Sequence, residues 1–176
     1  QRSIYRAEMS HKTIIPVANQ QGFNKATFSP TFEYYIYSFS DANTPPVYEV
    51  RNRAGETIRV LEDNAILKEY MRLYDVQPVK ITAVPNRHGD MMNAAFILPA
   101  NFDSTKTYPL FMYLYGGPGS QLVKNSFGSI GNYWWLQMLS QQGFMIAVVD
   151  NRGTGGRGQD FKKMTYMKLG EIETQD

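Results

Sequence analysis

The chain has 176 residues, of which 43% are hydrophobic and 14% aromatic, and its formal net charge is +2. That composition supports a packed, β-rich core rather than disorder, and so small a charge implies no nucleic-acid or polyanion partner. The absence of cysteine excludes disulfides, Cys-ligated metals and Cys nucleophiles, and leaves the compartment open.

The opening residues, Gln1-Arg2-Ser3-Ile4-Tyr5-Arg6, do not resemble a signal peptide, because they contain no apolar core. No apolar run approaches the roughly 20 residues that a membrane helix needs. The chain starts at Gln1 rather than Met, so the expectation is an internal piece of something larger.

Residues 1 to about 62 read as short strands set apart by Pro, Gly and Asn turns. Glu33–Phe39 is dense in β-formers, and Pro30 ends the run before it. Val47–Arg51 and Thr57–Leu61 both alternate apolar and polar residues across the turn at Gly55, which is a hairpin signal. Strands in this rhythm suggest a sandwich, a barrel or a propeller blade.

Ala65–Asp75 has the apolar spacing of a helix, with Asp63 or Asn64 as its cap. Val76–Pro78 reads as a hinge, Pro78–Val84 as a strand, Asn86–Asp90 as a turn and Met91–Leu98 as the returning strand. After the polar loop Pro99–Pro109 comes a strand ending in Phe111–Tyr115, which runs into Gly116-Gly117-Pro118-Gly119. Asn132 is placed to cap a helix that Gly143 ends. Phe144–Val149 is a continuous apolar run of the kind found in parallel strands buried on both faces. It stops at Asp150 and the second glycine loop, Gly153–Gly158. Strand, loop, helix, strand and loop make a βαβ unit, and ligands in such sheets sit beyond the carboxyl ends of the strands.

Several chemistries are open to such loops. No Gly-x-x-x-x-Gly-Lys-Ser/Thr occurs, so neither loop is a P-loop. "GTGGRG" matches the dinucleotide pattern by letter, but it follows the second strand of the unit, and a structural role for Asp150, Arg152 and these glycines is the better reading. His11 and His88 are the only histidines, and they lack metal-ligand spacing. In α/β-hydrolases the loop after the third strand supplies part of the oxyanion hole. A Gly-x-Ser-x-Gly elbow, however, is absent from the 176 residues. A non-enzymatic β-rich module that binds peptide or protein by strand addition is the alternative.

Three segments together resemble a known family: "YPLFMYLYGGPGSQ" (Tyr108–Gln121), "GFMIAVVDNRGTGGRG" (Gly143–Gly158) and "KLGEIETQD" (Lys168–Asp176). They look like the start of the hydrolase domain in prolyl-oligopeptidase-type serine peptidases, in the dipeptidyl peptidase IV branch. "VLEDN" (Val60–Asn64) and the helix after it resemble the last propeller blade and exit of the same branch.

The resemblance implies a mixed fold of β-propeller blade strands followed by the first βαβ part of an α/β-hydrolase fold. Residues 1–75 become the C-terminal part of a propeller domain with its exit helix, and residues 76–176 the truncated N-terminal part of a peptidase domain. It further implies a serine exopeptidase that releases N-terminal Xaa-Pro or Xaa-Ala dipeptides by acyl transfer, with no cofactor. The partner is a peptide with a free N-terminus, the parent is a homodimer, and the setting is extracytoplasmic and bacterial. Tyr115 takes the role of the oxyanion-hole hydroxyl, on a loop whose backbone Gly116 and Gly117 make permissive. The nucleophilic Ser, the Asp, the His and the amine-binding Glu pair find no match in this chain, so the 176 residues alone are expected to be inactive.

Overall fold

The computed structural model describes residues 1–176. Two compact units divide the chain: Gln1–Val76 with Asn125–Phe127, and Gln77–Lys124 with Gly128–Asp176. Sequence reading puts a boundary at 75/76 and carries no hint that three residues from a later loop join the first unit. Within that unit, Ala42 N–H donates to Asn125 Oδ1 at 3.0 Å, and the Ser40 and Ser126 hydroxyls lie 3.3 Å apart.

The first unit is all strand until its end. β1 (Ile4–Glu8) and β2 (Thr13–Ala18) form a hairpin. β3 (Phe23–Phe28), β4 (Tyr34–Ser40), β5 (Val47–Asn52) and β6 (Thr57–Glu62) form an antiparallel sheet in chain order. Such a meander is the unit from which propeller blades are built. Alternation decides its buried face. Tyr35, Tyr37 and Phe39 point into a small core with Ala18, and Ile4, Val17 and Ala26 pack around it. Asn24 is fully buried and fully used. Its Nδ2 donates to the carbonyls of Arg2 and Gln20, each at 2.7 Å, and its Oδ1 accepts the Tyr37 hydroxyl at 2.5 Å. β6 alternates as expected, yet all six of its residues are exposed.

Helix α1 (Ala65–Leu73) follows. Asn64 occupies its N-cap in the left-handed region, φ 55°, and makes no capping bond with its side chain. That amide is committed elsewhere, donating to Pro46 O at 2.5 Å, while Asp63 Oδ1 accepts the Ala65 N–H at 2.9 Å. The helix closes in a Schellman motif built on Asp75, with Val76 N–H donating to Met71 O.

The second unit holds the mixed sheet β7 (Val79–Pro85), β8 (Met91–Ile97), β10 (Met145–Asp150) and β9 (Leu110–Tyr113), in that spatial order. β10 runs parallel to β9 and antiparallel to β8. The apolar run 144–149 therefore has one parallel neighbour, not two. An apolar run reports burial of both faces, and Ile146, Ala147 and Val148 are indeed at most 2% exposed, but it does not report the direction of the partner strand. Helix α2 (Tyr133–Gln141) connects β9 to β10, and Gly143 ends it in a second Schellman motif. Asn132 sits at its N-cap with φ 58° and, like Asn64, makes no side-chain cap. The short helices α3 (Gly158–Lys163) and α4 (Ile172–Gln175) complete the chain.

Leu136 of α2 packs fully buried beside the sheet, and Ser140 Oγ donates to Leu98 O at 2.8 Å. Gln77, the first residue of this unit, is held by α2. The Gln137 side chain accepts the Gln77 N–H and donates to the Gln77 carbonyl, both at 2.8 Å. None of the helices is long and apolar enough to cross a membrane.

Candidate active site

Two loops leave the same edge of the second unit's sheet, because β9 and β10 are parallel neighbours. β9 ends at Tyr113, so Tyr115 lies two residues beyond the strand instead of closing it. Freed from the sheet, Tyr115 is 72% exposed.

The two glycines after it have different jobs. Gly116 has φ +76°, a left-handed conformation that a side chain makes costly. Gly117 does not. There a Cβ would meet the Tyr115 ring at 2.6 Å, so its bareness makes room for the aromatic edge. A tight turn follows, in which Gly117 O accepts both the Ser120 N–H at 3.2 Å and the Ser120 hydroxyl at 2.6 Å.

The second glycine loop backs the first. Gly155 N–H donates to Ser120 O at 2.6 Å, and Gly119 N–H donates to Gly153 O at 3.4 Å. A Cβ on Gly155 would lie 3.0 Å from Gly119 O, so the main chains approach as near as two glycines permit. Asn151 Nδ2 donates to Gly116 O at 3.3 Å. "GTGGRG" thus backs the Tyr115 loop through main-chain contacts.

Asp150 does not anchor its own loop. Its carboxylate, 2% exposed at the end of β10, accepts the N–H groups of Leu122 at 2.8 Å and Val123 at 3.0 Å, in the loop after β9. Burial pushes its carboxyl above the ordinary aspartate value, against the pull of those two donors and of Lys124.

Behind the second loop lies an ion cluster. Arg152 Nε donates to Asp176 Oδ1 at 2.8 Å, its Nη2 lies 2.7 Å from the same oxygen, and its Nη1 is 3.3 Å from Asp90 Oδ2. Arg152 N–H and Asn86 Nδ2 also donate to the Asp176 carboxylate, at 2.9 Å and 2.8 Å. Burial pushes the Asp176 carboxyl up, but the Arg152 and Asn86 hydrogen bonds and the guanidinium charge outweigh it and hold the group below its usual range.

Sequence reasoning singled out Tyr115, Gly116 and Gly117, and the structure sets them consecutively at this edge. It did not find Asn151 or the Arg152–Asp176 pair. The available signal was position alone: Asn151 and Arg152 follow Asp150, the last residue of the buried strand β10, where that strand reaches the ligand edge.

Comparison with known proteins adds to this geometry. Residues 131–176 match the model of the prolyl oligopeptidase family. A solved dipeptidyl peptidase 4 from Porphyromonas gingivalis superposes with a TM-score of 0.88 at 33% identity, over 97% of this chain and 24% of that one. A Bacteroides ovatus structure at 23% identity shares the fold, with a TM-score of 0.82 over 98% of this chain and 24% of that one. Dipeptidyl peptidase 4 of Trichophyton rubrum and that of Arthroderma otae are each 28% identical over 99% of this chain and 23% of their own length. The chain therefore spans about a quarter of the relatives it matches.

A propeller-blade meander followed by the opening strands of an α/β-hydrolase sheet is the fold these comparisons define, and over its last 46 residues the chain is similar to the prolyl oligopeptidase family. Over nearly its whole length its likeness is to dipeptidyl peptidase 4.

Proposed function

We propose that this chain is part of a serine-type exopeptidase that releases N-terminal Xaa-Pro or Xaa-Ala dipeptides, with the Tyr115 phenol as one oxyanion donor. The observation that carries this reading is the placement of Tyr115. It heads the loop after the third strand of the sheet, exposed, on a backbone tied to the neighbouring loop. α/β-Hydrolases draw an oxyanion donor from this loop.

The chemistry follows from charge. When a serine oxygen attacks the scissile carbonyl, negative charge gathers on the carbonyl oxygen. A fixed donor there stabilises the transition state by about 3–4 kcal/mol. A phenol O–H on a tied loop is such a donor and needs no reorganisation as the charge develops. The second donor is a backbone N–H beside the nucleophile, in a part of the longer protein outside these residues. Acyl transfer of this kind proceeds without a cofactor. The substrate is a peptide whose free N-terminus sets the dipeptide register. The family resemblance also supports a homodimer and an extracytoplasmic setting.

The test is an assay of the longer protein beside the 176-residue chain. The longer protein should hydrolyse Gly-Pro and Ala-Pro chromogenic substrates, lose activity to a fluorophosphonate and spare the N-acylated substrates. The 176-residue chain should do nothing, since it has no Gly-x-Ser-x-Gly and an oxyanion group alone gives little. Fluorophosphonate-sensitive turnover by the short chain, or none by the longer one, overturns the proposal.

A further inference from the structure

Gly116 is the joint between the proposed oxyanion tyrosine and the turn that follows. It has no side chain, and glycine takes positive φ, such as the +76° found here, about as readily as negative φ, so its own chemistry does little to fix the peptide. What touches that peptide is Asn151. This residue is 4% exposed, and its Nδ2 donates to Arg152 O at 2.7 Å and to Gly116 O at 3.3 Å. Those two carbonyls also decide which way the amide faces, because the flipped amide would set Oδ1 against two oxygens. Oδ1 consequently points away from them. It is buried without a partner among these residues, 3.5 Å from where a Gly116 Cβ would stand. A buried, half-satisfied amide is a cost that an apolar residue of the same size would avoid. Its bond to Gly116 O gives it a use.

We propose that Asn151 is a positioning residue for the reaction, holding the Gly116 carbonyl so that the Tyr115 phenol faces the oxyanion. The inference rests on the oxyanion reading of Tyr115. Asn151 touches no reacting atom. It ties the loop of the donor to the end of β10, the most deeply buried strand of the sheet. A misplacement of about 1 Å in such a group costs up to about 100-fold in rate.

The experiment is a double-mutant cycle in the longer protein, with rates normalised to active sites titrated by a fluorophosphonate. Asn151→Ala should lower kcat about 10- to 100-fold with KM little changed. Combined with Tyr115→Phe, it should add almost nothing, because a misplaced ring without a hydroxyl has nothing left to lose. Asn151→Asp keeps the shape and replaces the donor with an oxygen facing Gly116 O, so it should be as slow as Asn151→Ala. If Tyr115→Phe retains the wild-type kcat, the oxyanion reading itself fails. If Tyr115→Phe is slow but both Asn151 variants keep their kcat, the reading stands and the positioning role falls. Multiplicative effects in the double variant also overturn that role, as does failure of both Asn151 variants to fold, since each marks a residue that serves the fold alone.

Discussion

The ring of Tyr115 fills the space that a side chain on Gly117 would need: a Cβ built on Gly117 meets ring atom Cε1 at 2.6 Å. Gly117→Ala must therefore swing the ring. Because the residue is mostly exposed, the swing disturbs little packing. In the longer protein we expect kcat to fall at least about 10-fold, as for a displaced oxyanion donor, with the melting temperature almost unmoved. Kinetics and a thermal melt on the same preparation check this. A wild-type kcat would show that the ring's seat against Gly117 has no bearing on the chemistry.

The Arg152–Asp176 pair predicts a pH dependence. The Asp176 side chain is 1% exposed and that of Arg152 is 11% exposed. The folded carboxyl titrates below its usual value, so its contribution to stability is present above the ordinary aspartate range. It is lost as the pH falls through the depressed value. Asp176→Asn leaves the guanidinium largely buried with half its partners and should cost about 3 kcal/mol near neutral pH. The gap in melting temperature between the native protein and this variant should narrow steadily from pH 6 to pH 3. A gap independent of pH would mean that the pair contributes through packing and not through charge.

Asn24 makes the same kind of test in the first unit, without charge. Asn24→Ala removes three hydrogen bonds at once and leaves the buried Tyr37 hydroxyl without its 2.5 Å acceptor. A loss of about 2–3 kcal/mol should follow, the scale of stranding buried polar groups. Denaturant unfolding monitored in the β-sheet signal measures it. A loss well under 1 kcal/mol would show that water readily takes the place of Asn24.

What the sequence made legible is what local pattern controls. The β5–β6 hairpin, the helix at Ala65–Leu73 and the apolar strand at Met145–Asp150 all follow from alternation, helical spacing or uninterrupted apolar character. The loop that bears Tyr115 was legible because a strand followed by glycines leaves few structures open. The rest depended on partners far away in sequence. Asp150 bonds Leu122 and Val123, 28 and 27 residues earlier. Gln137 clamps Gln77 across 60 residues. Asn64 and Asn132 look like side-chain caps by type, yet both adopt the left-handed backbone open to asparagine, and the Asn64 amide goes to Pro46. Periodicity also marks an apolar face without saying what covers it, and so α1 has its expected spacing while none of its residues is buried.

Tyr115→Phe in the longer protein tests the central claim most directly. The substitution deletes one hydroxyl and keeps a ring that is already 72% exposed, so folding should hardly notice. If the phenol stabilises the oxyanion, the loss falls on the transition state and leaves substrate binding alone. We predict a kcat lower by roughly 100- to 1,000-fold with KM and melting temperature close to those of the native enzyme. A kcat within a few-fold of native would contradict the account, and would leave Tyr115 as an aromatic residue at the head of a turn.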